Sequence, residues 1–457
     1  MMQTSGSSMW SSRTPFLMTA IGLAVGLGNL WRFPFIAGEN GGAAFVLIYI
    51  ACIFLLGFPV MMAELAIGRH GGHSARKTIN LLVASSGVSK AWNSIGWMSV
   101  AIPFIGMSYY AVVTGWTLDY LLSAIGGGLS NLDSAGSAAV FDDMLSSATR
   151  LLVAHTVIMT GTIWILSRGL RCGLERAARF LLPTLFVFLV IMVGIAAIYG
   201  DFGRAFSFLF APDFSKVTPN LVYLAVGQAL FSIAVGLGAL ITFGAYLPKD
   251  ISIPRSAFTI CSADTLVALV AGLAIFPLVF GFNLDAGEGP GLIFVTLPIA
   301  FSQVPAGEIV SIVFFTLLFL AAFTTCLGTM EPVVAWAEDA FPLSRAKLTI
   351  IIGTLIWMLG LLPVLSFNVF ADVKPLGSIA YFADKGIFDL FDYFIANLLL
   401  PLNVLLTALF AGWAFSPVAA QEELGFSPAA MMAWRWILRF FAPAALVWIM
   451  YGSLMPS

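Results

Sequence analysis

The sequence predicts an all-α polytopic membrane protein, one domain over 1–457, with eleven transmembrane helices arranged as two inverted blocks of five plus one. Three observations predict it. Of 457 residues, 60% are hydrophobic and only 10% are charged, too few charges for an aqueous surface. Eleven apolar runs approach or exceed the roughly 20 residues that a helix needs to cross a bilayer. One string, Ala-Val-Gly-Leu-Gly, occurs in the first run and again in the sixth.

The runs cover 14–37, 43–67, 92–125, 151–166, 180–199, 221–247, 256–282, 308–337, 348–365, 388–415 and 431–450. They are continuous and lack period-two alternation, which implies helices and excludes a barrel. Several exceed the minimum length, so tilt is expected. The first block is 14–199, the second is 221–415, and 431–450 is an extra helix.

Lys and Arg placement sets the orientation. With the N-terminus inside, fifteen of them fall in inner segments, among them Arg69, Arg168, Arg171, Arg176 and Arg345. Only Arg150, Arg204, Lys216, Lys374 and Lys385 fall outside. The N-terminus is therefore expected in the cytoplasm, and an odd helix count places the C-terminus outside. Two longer outer stretches, 126–150 and 283–306, are rich in Gly, Ser and Asp and are candidate caps.

Composition also excludes classes. A net charge of −2 with no basic surface argues against nucleic acid. Cys52, Cys172, Cys261 and Cys326 avoid the outer segments, so no disulfide framework is expected. Arg13 directly precedes the first apolar run and no cleavage site follows, so no cleaved signal is expected. There is no G-x-x-x-x-G-K-[ST] string, which argues against an ATP-driven pump. Three scattered histidines and four separate cysteines offer no metal set for a membrane enzyme. No obligate protein partner is evident.

The repeat carries the mechanism. Ala24-Val25-Gly26-Leu27-Gly28 lies in the first run and Ala234-Val235-Gly236-Leu237-Gly238 in the sixth. Coincidence in a Gly-rich chain, or small-residue helix packing, would give the same string. Position favours a third reading. The two runs open the two blocks, and five helices per block invert the second relative to the first. Matched Gly-interrupted helices in inverted halves point to a midplane site for substrate and ion. Paired glycines let the backbone unwind. Freed carbonyls suit a hard cation. The N-terminus of the following half-helix attracts an anion.

The flanking residues carry a resemblance. Gly26-Leu27-Gly28-Asn29-Leu30-Trp31-Arg32-Phe33-Pro34 with Glu39-Asn40-Gly41-Gly42 resembles the signature of the neurotransmitter:sodium symporter family. Gly227-Gln228-Ala229-Leu230-Phe231-Ser232 matches too, as do Gly68-Arg69-His70-Gly71-Gly72 and 324–332. The likeness runs in order along nearly the whole chain and is similar to the bacterial eleven-helix branch. It implies a multi-pass protein of a bacterial inner membrane that imports an amino acid with Na⁺ by alternating access. A non-transporting amino-acid sensor and a channel are the alternatives on the same scaffold.

The resemblance also implies site residues. A first sodium would meet Ala24, Asn29, Ser232, Asp264 and the substrate carboxylate. A second would sit between Gly22, Val25, Ala321, Thr324 and Thr325, although two helical threonines can also bond back to their own helix. Substrate would be lined by Ala24, Gly26, Gly28, Gly106, Tyr110, Phe231, Ser232, Ala234, Leu237, Cys326 and Thr329. Amine-binding relatives carry aspartate where this chain has Gly26, so an α-amino acid is implied. Gly106 and Leu237 replace bulkier residues of a leucine-transporting relative, which favours a large hydrophobic or aromatic side chain. Asp264 stands where that relative has asparagine, and Ala268 stands where it has the glutamate that replaces chloride. Asp264 is thus expected to ligate sodium and to make transport chloride-independent, with Tyr49, Gln228 and Ser232 framing the anion pocket. An intramembrane carboxylate is costly without a role. Arg32 and Asp392 resemble the outer gate, with Phe231 and Tyr110 beneath. Tyr246 and Asp339 resemble the inner gate, but the family's N-terminal arginine is replaced by Ser7, with Trp10 retained. Glu64 resembles a buried structural residue, Glu331 receives no role, and His155 is expected to be packing.

Overall fold

The computed structural model describes residues 9–284 and 291–454, all helices and connections, with no strand among them. Nine of the described helices are long and apolar enough to cross a membrane. The number is ten if the bent pair α1 (Arg13–Ala24) and α2 (Gly28–Glu39), which meet at 47°, is one span. Then follow α3 (Ala43–Gly71), α4 (Lys90–Ile125), α5 (Ala148–Ser167) and α6 (Leu170–Tyr199). The expected sixth span is divided into α7 (Pro219–Ser232) and α8 (Ala239–Ala245), neither long enough alone. The remaining spans are α9 (Ile253–Gly281), α10 (Gly307–Ala340), α11 (Arg345–Leu365), α12 (Ile387–Ala414) and α13 (Pro428–Gly452).

The helices are not uniform, and proline accounts for several of the places where they widen. Proline lacks an N–H and its ring presses on the carbonyl four residues earlier. One local escape is a π-helical turn. The π-turns Gly28–Arg32, Ile53–Gly57, Leu292–Thr296 and Phe394–Leu399 each end two residues before a proline: Pro34, Pro59, Pro298 and Pro401. Thus α2, α3 and α12 all carry a widened turn.

The bundle core is α4 lying along α10, with α1 packed on α10 and α8 on α3. Close approach is set by glycine, as expected where lipid supplies no hydrophobic drive between helices. A Cβ at Gly68 would strike the Ile241 carbonyl, and one at Gly244 would strike the backbone of Leu65. One outer stretch folds as Ser134–Ser146, with Asp133 capping it by accepting the Gly136 N–H at 2.7 Å. The described part of the other includes the short apolar helix Leu292–Ser302. The two interlock: Ser137 Oγ donates to the Val295 carbonyl at 2.7 Å, and Ser302 Oγ accepts the Leu132 N–H at 3.0 Å.

Candidate substrate and ion site

The two glycine strings break their helices for different reasons. Helix α1 stops at Ala24, where Val25 turns out of helical geometry at ψ 88°. The Gly26 N–H meets Asn29 Oδ1 at 3.4 Å instead of a carbonyl one turn back. Carbonyls at the end of α1 are thereby left without helical partners. Gly26 and Gly28 do not have positive φ. What they provide is proximity: a Cβ on Gly26 would collide with Thr325 Oγ1 and lie 3.0 Å from the Tyr110 hydroxyl. In the second string, Gly236 and Gly238 do have positive φ, +84° and +74°, as does Ala234 at 56°. Here the backbone itself demands glycine. Glu64 Oε1 accepts the Gly236 N–H at 2.7 Å, and Asn403 Nδ2 donates to the Gly236 carbonyl at 2.7 Å. Both backbone polar groups of Gly236 are thus satisfied inside the bundle, as a membrane interior requires.

Between the breaks lies Asp264 on α9, fully buried. It accepts from Asn29 Nδ2 at 2.9 Å, from Ser232 Oγ at 2.7 Å and from the Tyr49 hydroxyl at 3.3 Å. Asn29 Nδ2 also reaches the Asp264 carbonyl at 3.0 Å. Gln228 Nε2 donates to the Gly28 carbonyl at 2.8 Å, while its Oε1 is buried without a partner. Three donors converge on one carboxylate, but no basic side chain forms an ion pair with it among the described residues. An uncompensated charge in low dielectric attracts a cation strongly.

The expected second ion site also gathers. Thr325 Oγ1 on α10 bridges to the Gly22 and Leu23 carbonyls of α1 at 3.4 and 3.2 Å. Thr324 Oγ1 instead bonds back to the Leu320 and Ala321 carbonyls at 3.0 and 2.9 Å. Its Cβ lies close enough to Gly22 to give ordinary contact with an added Cβ at 3.5 Å. Val25 is fully buried at the same helix end.

A cavity of about 60 Å³ lies between the breaks. Ten of the eleven expected lining residues border it: Ala24, Gly26, Gly28, Gly106, Tyr110 and Phe231, with Ser232, Ala234, Leu237 and Thr329. Cys326 does not; its thiol lies behind the wall, 3.3 Å from Thr114 Oγ1. Tyr109, Ile395 and Leu400 join the lining without having been expected. Tyr109 adjoins the expected Tyr110, but the two aliphatics come from α12 and carry no motif. The Tyr110 hydroxyl accepts the Leu27 N–H at 3.3 Å, so it marks the polar end beside the first break.

Above it is an outer cavity of about 400 Å³, bordered by Arg32, Trp116, Phe388 and Asp392 and sharing Phe231 and Tyr110 with the pocket below. Arg32 and Asp392 face this cavity together but form no ion pair. The Arg32 guanidinium lies 4.8 Å over the Phe231 ring, a cation–π arrangement.

At the inner end, Tyr246 and Asp339 each take a different partner. No hydrogen bond joins Tyr246 to Asp339. The Tyr246 hydroxyl donates to Glu331 Oε1 at 3.1 Å. Glu331 is fully buried and pairs with Arg345 at 2.6 Å, and Arg345 also holds Glu338 at 2.7 Å. Asp339 turns the other way, accepting the Ser74 N–H at 2.8 Å and pairing with Lys77 at 3.1 Å. The geometry follows from helix phase: Glu331 and Glu338 are seven residues apart on α10 and share a face, whereas Asp339 is rotated about 100° from Glu338. Trp10 plugs the same end, its indole donating to the Phe243 carbonyl and its N–H to the Tyr246 carbonyl, both at 3.0 Å. Ser7 lies outside the described residues. His155 is fully buried with Nε2 3.3 Å from the Trp357 carbonyl, consistent with packing.

Comparison with known proteins agrees with this architecture. The model of the Sodium:neurotransmitter symporter family matches residues 7–136 and 141–456. An uncharacterized sodium-dependent transporter of Bacillus subtilis is 35% identical over 442 residues, 96% of each chain. Another, of Methanocaldococcus jannaschii, is 31% identical over 91% of this chain and 83% of its own. The crystal structure of MhsT in complex with L-phenylalanine superposes with a TM-score of 0.87 at 37% identity, covering 98% of this chain and 99% of that one.

Proposed function

This chain belongs to the sodium:neurotransmitter symporter family, and from its site we propose that it couples Na⁺ entry to uptake of an amino acid with a large hydrophobic or aromatic side chain. One observation carries the reading. Both helix breaks converge on a single cavity that is polar at one end and apolar at the other. The polar end offers the backbone at Gly26–Gly28 and the Tyr110 hydroxyl, which suit an α-carboxylate at the start of α2. Gly106, Leu237 and Ile395 offer the opposite wall, which suits an apolar side chain. The phenylalanine bound to the similar MhsT structure is of this substrate class.

Two sodium ions are proposed. The first takes Ala24, Asn29, Ser232 and Asp264, where the buried carboxylate supplies the compensating charge. The second takes Gly22, Val25, Ala321, Thr324 and Thr325, bridging α1 to α10. Asp264 also stands in for chloride beside Tyr49, Gln228 and Ser232. In this reading α7 and α8 form one interrupted span, giving eleven spans and a 5+5 inverted repeat. The protein sits in a bacterial inner membrane with its N-terminus cytoplasmic and its C-terminus external. Outward access runs through the 400 Å³ cavity, while Trp10, Tyr246, Glu331 and Arg345 hold the inner end closed. Each sodium moving inward gains about 2.3 kcal/mol per 100 mV of membrane potential.

The test is uptake of a panel of labelled amino acids into proteoliposomes, with sodium and chloride varied independently. Phenylalanine-like and large aliphatic substrates should accumulate with sodium in chloride-free buffer. A preference for glycine or alanine would refute the substrate class, and a chloride requirement would refute the role of Asp264.

A further inference from the structure

Away from the substrate path, the corner between α5 and α6 forms a groove of about 270 Å³. The two helices touch at the tight turn Arg168–Gly169, where Gly169 has φ +91°, and then diverge. A Cβ on Gly173 would strike the Ile165 carbonyl, so contact at the corner is backbone to backbone. Beyond it the gap is floored by Phe323 of α10 and flanked by Trp164 and Phe180. Those two flanking rings are 56% and 70% exposed on the outside of the bundle, so the groove opens sideways, toward lipid.

Its end is basic. Arg168 and Arg176 border the groove, and neither forms an ion pair among the described residues. Arg168 lies 3.7 Å over the Trp164 ring, which leaves the N–H edges of the guanidinium free to donate. The nearby arginines are committed: Arg171 donates to the Met9 carbonyl, and Arg179 pairs with Glu175. The neighbouring acids are committed as well, Glu175 to Arg179 and Ser11, Glu338 to Arg345, and Asp339 to Lys77. Two unneutralised cations therefore face one apolar slot.

A second cavity, of about 570 Å³, lies at the inner end of the bundle, and Arg168 and Cys172 border both. Here a polar space and a lipid-facing slot meet at an arginine. That is the shape of an amphiphile with an anionic head and an apolar tail. The geometry points to a binding site for an anionic glycerophospholipid, its phosphate on Arg168 and Arg176 and one acyl chain in the groove against Phe180 and Phe323. Basic pockets between membrane helices hold such headgroups through charge, while the chain adds apolar contact. The bound head would lie beside the π-turn Leu170–Glu175, to whose last residue Ser11 is tied at 2.7 and 2.8 Å.

The test uses the purified full-length protein in mixed micelles holding equal phosphatidylglycerol and phosphatidylcholine with identical acyl chains. Retained lipid is counted by native mass spectrometry. The wild type should retain phosphatidylglycerol over phosphatidylcholine by on the order of tenfold. Arg168→Gln with Arg176→Gln should bring the ratio near one, and Arg168→Lys with Arg176→Lys should keep most of the preference. Ala177→Trp, which fills the groove and leaves both arginines, should lower retention of either lipid. Equal retention of the two lipids by the wild type, or an unchanged preference in the glutamine variant, would overturn the proposal. The wild-type comparison stands whether or not a variant folds, and it does not depend on which amino acid the protein carries.

Discussion

Glu331 and Arg345 form a 2.6 Å ion pair at the inner end of the bundle, with Glu331 fully buried and Tyr246 bonded to its other oxygen. Breaking a buried pair by removing one partner strands the other charge, at a cost of about 3–5 kcal/mol. Arg345→Gln should therefore lower the thermal midpoint sharply. Glu331→Gln with Arg345→Gln should recover most of the loss. Thermal unfolding of the purified variants in detergent measures both. A double variant no better than the single one would show that the pair is not the coupled unit.

Asp264→Asn keeps a side chain that can still bond Ser232 and Tyr49 but removes the charge. Uptake should fall in chloride-free buffer and be restored, at least in part, by external chloride. Proteoliposome uptake with gluconate replacing chloride reads this directly. Wild-type rates without chloride would remove Asp264 from the role.

The two glycine strings should respond differently to alanine. Gly26→Ala collides with the Thr325 hydroxyl and presses on that of Tyr110 at 3.0 Å, so Thr325→Ala in the same chain should return most of the thermal midpoint while leaving uptake impaired, because Thr325 is a proposed sodium ligand. Gly236→Ala meets both its own positive φ, which costs about 1–2 kcal/mol, and the Leu400 carbonyl at 2.9 Å. Removing the neighbouring Val404 side chain should not rescue it. Thermal midpoints of the four variants decide the comparison.

Gly106 has open space: an added Cβ would touch only Ile395, at 3.8 Å. Gly106→Val should fold normally and shrink the apolar end of the pocket. Competition between labelled phenylalanine and alanine should then shift toward alanine. No shift would place the side chain of the substrate elsewhere.

Between α12 and α13, Glu423 in the short helix Pro417–Leu424 is gripped by Arg69 at 2.6 Å, by Lys249, and by His70 at 3.5 Å. Burial pushes its carboxyl up, but Lys249 and Arg69 outweigh burial and hold it below the usual glutamate range. Because the folded pKa is depressed, the contribution is fully present above the unfolded value, near 4.3. It is lost as pH falls through the lower folded value. Glu423→Gln should therefore lower the thermal midpoint near neutrality and flatten its decline on acidification. Midpoints measured from pH 7 to pH 3 test the sign.

Much of this molecule can be read in its sequence because lipid leaves few options. Apolar runs mark spans, and a buried Asp264 beside Asn29 and Ser232 advertises a site. Chain proximity is a poor guide to the rest. Arg345 reaches Glu331 across the loop between α10 and α11, and nothing in either residue's neighbourhood names the other. Ile395 and Leu400 line the pocket only because α12 leans inward, and aliphatic residues in an apolar helix carry no mark. Hydropathy alone runs α7 and α8 together, since the turn between them is as apolar as a helix, and only the Gly236 and Gly238 string marks the break. The proline-linked π-turns are legible in retrospect from Pro34, Pro59, Pro298 and Pro401.

The two copies of Ala-Val-Gly-Leu-Gly have a further consequence for how such chains diverge. Position 26 is constrained by the side chains of residues 325 and 110, so it can change when they change with it. Position 236 is constrained by its own torsion angle, so no partner substitution releases it. Among relatives, the first glycine should covary and the second should stay fixed. Two identical words in one sequence are thus expected to age at different rates.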